Sequence, residues 1–121
     1  NFSLIDYIKF INHNKSKHCF LLQKAKLCND GHGNVIIDKN KNVVKYYTDK
    51  RNPKFDYSEL GYMKLNKNIF NYFNSKNDNE SLTAVLSNLS INESIGYYIT
   101  KKKFITITNQ KKLNQANKYY E

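Results

Sequence analysis

Asn34 to Phe70 reads NVIIDKNKNVVKYYTDKRNPKFDYSELGYMKLNKNIF, and this pattern is the most specific in the chain. Two β-branched and aromatic runs, residues 34–38 and 43–47, flank a polar turn and predict a β-hairpin. The next segment, Thr48 to Asp56, is basic and contains the chain's one proline, Pro53. Because proline fixes φ and lacks an N–H donor, we expect a loop here and neither a helix nor a central strand.

A third strand is predicted from Ser58 to Leu65, and it carries Glu59 and Gly61 two positions apart. A glycine inside a strand gives up side-chain packing. It often marks a bulge, or a place where a ligand or another backbone comes close. The acid beside this glycine is therefore a candidate for ligand contact, with a solvent-facing carboxylate as the plain alternative.

The order of these features, a hairpin, a basic loop and then Tyr-x-acid-x-Gly on a strand, resembles the C-terminal half of the sugar-1-phosphate nucleotidyltransferases. The heptose- and hexose-phosphate branch is the most similar. The resemblance implies that Lys50 contacts the sugar phosphate, that Glu59 binds sugar hydroxyls and that Gly61 lets the sugar ring approach. It also implies that Asn34 lies near the same pocket, and Tyr57 completes the predicted binding surface.

The fold that this resemblance implies is α/β, with a mixed sheet and flanking helices. It resembles the C-terminal part of the three-layer fold of the nucleotide-diphospho-sugar transferases. Residues 1–121 are then a single domain or a half-domain.

The family's reaction is the attack of a sugar-1-phosphate oxygen on the α-phosphorus of a nucleoside triphosphate, with release of pyrophosphate. The family uses Mg²⁺, and its glycine-rich loop and first metal-binding aspartate belong to a nucleotide-binding half that precedes the segment matched here. Where a second metal-binding aspartate is expected, residues 105–109 read Ile-Thr-Ile-Thr-Asn. A hydroxyl does not replace a carboxylate for a hard divalent cation. We therefore expect magnesium in a longer parent enzyme, with ligands outside this chain, and no catalysis by the chain alone.

Hydrophobic periodicity and turn residues predict the remaining elements. A polar linker is expected at 74–79. Before the hairpin, the predicted elements are a helix from Ser3 to His13, a buried strand from His18 to Ala25 and a turn from Asn29 to Gly33. After the third strand, they are a short helix capped by Asn66 and a helix from Glu80 to Leu89. The chain then continues with strands from Ser94 to Thr100 and from Lys103 to Ile107, joined by a turn at Lys101 to Lys103, and with a helix from Gln110 to Tyr120.

The composition sets further bounds on function. The net charge is +10, from 19 Lys and one Arg against ten acids, and it attracts polyanions without specifying any of them. No apolar run approaches the roughly 18 residues of a membrane span, so we expect a cytoplasmic protein. Cys19 and Cys28 are too few for a disulfide framework, and no metal-ligand spacing links them to histidines.

Two other functions remain open. Lysine together with tyrosine and phenylalanine is typical of surfaces that bind nucleic acid, so a basic nucleic-acid-binding module is one alternative. The other is a non-catalytic interaction domain that self-associates or packs against a missing N-terminal half.

Overall fold

The computed structural model describes residues 3–28, 30–73, 80–105 and 107–120. The predicted linker at 74–79 and parts of the predicted turn and last strand, Asn29 and Thr106, lie outside these residues. The elements in chain order are helix α1 (Leu4–His13), strand β1 (His18–Lys24), a 3-10 helix (Ala25–Leu27), β2 (Gly33–Asp38), β3 (Val43–Asn52), β4 (Tyr57–Lys64), a second 3-10 helix (Lys67–Tyr72), α2 (Leu82–Asn92), β5 (Ile95–Thr100) and α3 (Gln110–Tyr120).

The five strands form a closed barrel in the order β1-β4-β2-β3-β5. Strands β1 and β5 are parallel, and the other neighbouring strands are antiparallel. Single residue pairs, Val35 with Tyr57 and Val44 with Ile95, join β2 to β4 and β3 to β5. The predicted mixed α/β class is confirmed. The predicted sheet with flanking helices is corrected to a barrel with flanking helices, because the hairpin meets β4 on one side and β5 on the other. The three-layer transferase arrangement is not confirmed.

Apolar side chains from the strands form one core cluster. Phe20 and Leu22 on β1 are fully buried in it, together with Val35 and Val44 of the hairpin. The rings of Phe20 and Tyr47 meet edge to face with centroids 5.5 Å apart. This geometry is favourable for aromatic pairs. The long hydrophobic run of β1 is therefore explained by burial, as the sequence predicts.

Helix α2 closes this core against β3. It begins after Ser81, whose side chain accepts a hydrogen bond from the N–H of Ala84 at 3.2 Å. Three residues of the predicted apolar stripe, Val85, Leu86 and Leu89, are buried as expected, whereas Leu82 in the first turn is 48% exposed.

Helix α1 packs through an aromatic anchor. Tyr7 is buried, and its hydroxyl donates to the backbone carbonyls of Cys19 on β1 and Tyr62 on β4, at 3.3 and 3.1 Å. The rings of Tyr7 and Phe10 lie against Tyr98 of β5. The helix thus lies across three strands, and buried hydrogen bonds hold it there.

The predicted apolar stripe of α1 is not buried as a whole. Leu4, Ile5 and Ile8 are 46%, 64% and 43% exposed. Helical periodicity correctly predicts the helix, and Ser3 caps it as expected by accepting the N–H of Asp6 at 3.2 Å. The side of the helix that contacts the barrel is the one that carries Tyr7.

Two predictions from the sequence are wrong. The predicted loop from Thr48 to Asp56 is largely strand, because β3 continues to Asn52 and pairs there with Gly33; the turn is confined to the residues around Pro53. The predicted strand from Lys103 to Ile107 is absent from its described residues.

The reason for the missing strand is visible at Phe104. Its N–H donates to the side-chain oxygen of Gln23 at 3.0 Å, where a strand would donate to a neighbouring backbone. The chain then enters α3, and Asn109 caps this helix as predicted by accepting the N–H of Lys112 at 2.9 Å. None of the helices in the described part of the chain has both the length and the apolar character that a membrane crossing requires.

Candidate functional site

A cavity of about 290 Å³ opens beside β1 and β4, under the segment that leads to α3. We call it the Arg51 cavity. Two cations and two carboxylates line it together with neutral polar and apolar groups. Its lining residues are Gln23, Cys28, Asp30, Arg51, Ser58, Glu59, Leu60, Phe104 and Lys112.

Arg51 supplies a cation that is fixed in place by several contacts. Its Nη2 donates to Asp30 Oδ1 at 3.0 Å, to Ser58 Oγ at 3.3 Å and to the carbonyl of His32. Burial works against the charge of the guanidinium, but contacts with Cys28 and Asp30 outweigh it and raise the pKa of Arg51. These contacts, including the ion pair with Asp30, fix the position of the guanidinium on the cavity.

A chain of hydrogen bonds forms the polar wall of the cavity. Gln23, only 3% exposed, accepts from the Phe104 N–H and donates from Nε2 to Cys28 Sγ at 3.1 Å. The Cys28 thiol donates to Ser58 Oγ at 3.2 Å, and the Ser58 hydroxyl donates to the carbonyl of His32 at 3.0 Å. Buried polar side chains that are mutually bonded in this way are rigid, so the wall is preorganised.

Glu59 is a half-buried carboxylate on the same cavity. Burial raises the pKa of Glu59 to about 7, although the N–H groups of Gly61 and Leu60 oppose this shift by donating to the carboxylate. At neutral pH the side chain is therefore present both as a carboxylic acid, which donates, and as a carboxylate, which accepts. A strongly shifted carboxyl in a cleft is a frequent property of functional sites.

Asn34 and Gly61 are connected to Glu59 and hold it from both sides. Asn34 is buried, and its Oδ1 accepts the backbone N–H of Glu59 at 2.9 Å. Gly61 has φ +84° and lies where the register of β1 and β4 shifts between Phe20 and Leu22, so it occupies a β-bulge. The bulge turns the Gly61 N–H back onto the Glu59 carboxylate. The structure thus brings three of the five predicted site residues together.

The other two predicted residues lie elsewhere. Lys50 is exposed and is not part of the lining of the Arg51 cavity; its N–H donates to Thr48 Oγ1 at 3.2 Å. Tyr57 is half-buried and lines a different cavity together with Phe55. Their predicted contacts with a sugar phosphate stay predictions.

Sequence reasoning missed several lining residues, among them Arg51, Gln23 and Ser58. One signal for Arg51 was present, because it is the only arginine beside 19 lysines. A single arginine in so lysine-rich a chain indicates a need for its bidentate geometry. Gln23 and Ser58 gave no such signal, because only the pairing of β1 with β4 places them side by side.

No group of three or more His, Cys, Asp or Glu residues that fits a metal ion is found in the described ranges. Mg²⁺ is usually held by one or two ionised carboxylates with waters and phosphates, whereas the two carboxyl groups on the Arg51 cavity are an aspartate that is ion-paired with Arg51 and a glutamate whose pKa is raised by burial, so this pair does not fit Mg²⁺. Comparison with protein-family models and with curated proteins finds no match for this chain.

Proposed function

We propose that the chain binds a sugar 1-phosphate in the Arg51 cavity. In this proposal the chain is the sugar-binding, C-terminal part of a nucleotidyltransferase. The observation that carries this proposal is the presence on one cavity of a fixed guanidinium, Arg51, and a half-buried carboxyl, Glu59, whose pKa is raised to about 7 by burial. A sugar phosphate needs both kinds of group: a cation for the phosphate and an adaptable donor and acceptor for the hydroxyls.

The size and lining of the cavity support a ligand of this class. A volume of about 290 Å³ is at the lower end of the range of small-molecule sites. Leu60 and Phe104 add apolar surface for the sugar ring, and Lys112 adds a second cation from α3. Arg51 takes the position that the resemblance gives to the neighbouring Lys50, so the proposal keeps the predicted chemistry and changes the residue.

The parent reaction would be attack of the bound sugar phosphate on the α-phosphorus of a nucleoside triphosphate, with pyrophosphate as leaving group. Because the described residues do not fit magnesium, we derive no step through a metal. The role of this chain is to position the attacking phosphate, which is a large part of catalysis in phosphoryl transfer. The nucleotide half would come from outside this chain, and the exposed side chains of Leu4, Ile5 and Ile8 on α1 are available for contact with it.

Isothermal titration calorimetry with α-D-glucose 1-phosphate and α-D-mannose 1-phosphate tests the proposal. We expect saturable binding that weakens at least about tenfold in Arg51→Ala, since a hydrogen bond to a charged group contributes about 1.5–3 kcal/mol. Arg51→Lys should restore little, because lysine keeps the charge and loses the planar fork. Glu59→Gln should weaken the binding of the sugar phosphates more than the binding of inorganic phosphate.

Lys50→Ala is the matched control, because it removes the same charge from the adjacent residue. It should change affinity less than about twofold, as expected of an exposed, screened charge. Equal losses in the Lys50 and Arg51 variants, or absence of binding to both sugar phosphates, would contradict the proposal.

A further inference from the structure

A second concave surface, which does not include Arg51 or Glu59 but borders the Arg51 cavity at Cys28, is formed by two larger cavities that share Lys26. The first, of about 410 Å³, is lined by Lys24, Lys26 and Lys39 beside the rings of Phe55 and Tyr57. The second, of about 510 Å³, lies against α3. We call the pair the Lys26 groove. Its second half adds Lys103, Lys118 and Tyr119.

The charge of this groove is strongly one-sided. Among the described residues that line it are five lysines, at positions 24, 26, 39, 103 and 118, and a single acid, Asp56. These lysines are dispersed in the sequence over almost a hundred positions, and the fold collects them. A concave surface lined by several cations attracts a chain of phosphates more strongly than it attracts a single isolated anion.

Aromatic rings lie in both halves of the groove together with these cations. Phe55 meets Tyr46 edge to face at 6.1 Å, and Tyr46 is 36% exposed. At the other end the Lys103 ammonium lies 5.3 Å from the centre of the Tyr119 ring, and Tyr119 is 49% exposed. Rings that are partly exposed beside cations offer faces on which unpaired bases stack.

From this arrangement we propose that the Lys26 groove binds single-stranded nucleic acid, with its lysines on the phosphates and Phe55 and Tyr119 stacking on bases. An acidic peptide would use the lysines alone and has no need of the rings. An anionic membrane favours a flat or convex surface, whereas this surface is concave. A duplex hides the faces of its bases, so the rings favour a single strand.

Fluorescence anisotropy with a labelled 12-nucleotide oligouridine tests this proposal on the 121-residue chain. Phe55→Leu should weaken binding about tenfold, because stacking of a base on an aromatic side chain contributes that order of affinity. Phe70→Leu is the matched control. Phe70 is 73% exposed, pairs with another ring at 6.2 Å and lies outside the groove, so its replacement should change affinity less than about twofold.

The dependence on salt gives a second, independent readout. Each phosphate contact on a single strand contributes about −0.7 to the slope of log K against log salt concentration. Lys26→Ala should therefore make the slope shallower by about 0.7, whereas Lys9→Ala, an exposed lysine on α1, should leave it unchanged.

Three outcomes would overturn the proposal. These are no binding of oligouridine at low salt, equal losses in the groove variants and their controls, or tighter binding to phosphatidylserine vesicles or polyaspartate than to oligouridine. All of these results leave sugar-phosphate binding at Arg51 unaffected, because the two surfaces are tested with different probes and different variants.

Discussion

Glu59 and Glu93 are the same side chain in two regions of the barrel, and their pKa values move in opposite directions. Burial raises the pKa of Glu59 to about 7. The pKa of Glu93 is lowered, first by the hydroxyl of Tyr72, which donates to it at 2.8 Å, and then, against a smaller effect of burial, by Asn68 and by electrostatic interaction with His18 and Lys17.

The network around Glu93 explains this difference. Nδ1 of the fully buried His18 accepts the N–H of Asn66, and Nε2 lies 3.3 Å from Glu93 Oε2, a contact that forms no hydrogen bond among the described residues. Asn68 Nδ2 donates to the other oxygen at 3.1 Å. Two side-chain donors, Tyr72 and Asn68, thus converge on Glu93 and favour its ionised form.

The comparison distinguishes two carboxylates. Glu93 stabilises the fold through its hydrogen bonds, whereas the ionised form of Glu59 is destabilised by burial. Glu93 links β1 to the second 3-10 helix through its partners. Among the described residues, the Glu59 carboxylate receives N–H donors from Gly61 and Leu60 on its own strand, and these do not compensate for its burial. A carboxyl kept in such a position is consistent with a site that is completed by a ligand.

Replacing Glu93 should have the largest effect on stability. Glu93→Ala leaves the Tyr72 hydroxyl and the Asn68 amide without their acceptor and removes the carboxylate beside the buried His18, and we expect a loss of about 1–3 kcal/mol in the free energy of unfolding. Urea denaturation at pH 7 measures this change. A loss below about 0.5 kcal/mol would show that the network contributes little.

The same substitution at Glu59 should behave differently. Glu59→Ala removes a carboxyl whose ionisation is opposed by burial. We therefore expect the free energy of unfolding at pH 7 to change by less than about 0.5 kcal/mol or to increase slightly. The variant should nevertheless bind α-D-glucose 1-phosphate about tenfold more weakly. Destabilisation equal to that of the Glu93 variant would remove the distinction between the two carboxylates.

Gly61→Ala tests the bulge that orients Glu59. Gly61 has φ +84° and open space where a Cβ would lie, so only backbone strain is expected, at about 1 kcal/mol. Gly31→Ala is the control, with φ +68° and the same open space. Both variants should lose similar stability in thermal unfolding, but only the Gly61 variant should raise the pKa of Glu59 further. Identical Glu59 titrations in the two variants would argue against the bulge as its support.

The dependence of stability on pH should have opposite signs for the two carboxylates. Folded Glu59 retains its proton up to about pH 7, whereas in the unfolded chain it titrates near 4.5. Between these values the folded state binds more protons, so this contribution to stability is lost as pH rises from about 4.5 to 7. The contribution of Glu93 has the opposite sign: it is present above about 4.5 and is lost as pH falls through the lowered pKa.

Urea denaturation at a series of pH values separates these contributions. Glu59→Gln should flatten the curve between pH 4.5 and 7, and Glu93→Gln should flatten it below 4.5. If the stability curves of both variants change in the same pH range, this would contradict the opposite pKa shifts of Glu59 and Glu93.

Local signals in the sequence predict most of the secondary structure. Caps at Ser3, Asn66 and Asn109 are confirmed, and the hairpin and the buried strand β1 form where β-branched and apolar runs place them. These features depend on residues within a few positions of each other, so a single sequence contains them.

The closure of the barrel and the composition of the Arg51 cavity depend on distant contacts. The Gln23 side chain holds Phe104 across 81 positions, which removes a predicted strand, and pairing of Gly33 with Asn52 extends β3 through a predicted loop. The sequence also does not distinguish Lys50 from Arg51 as the cation of the cavity, because only the fold determines which of these two adjacent residues lines it.

The most direct test of the central claim is an NMR titration of the chain with α-D-glucose 1-phosphate, observing the Glu side-chain carboxyl carbons and the Arg51 Nε–H group. We predict that the Glu59 and Arg51 signals shift together and saturate with one affinity, while the Glu93 carboxyl signal stays in place. Glu59 and Arg51 signals that do not move, or a Glu93 shift of equal size, would contradict the assignment of the Arg51 cavity as a sugar-phosphate site.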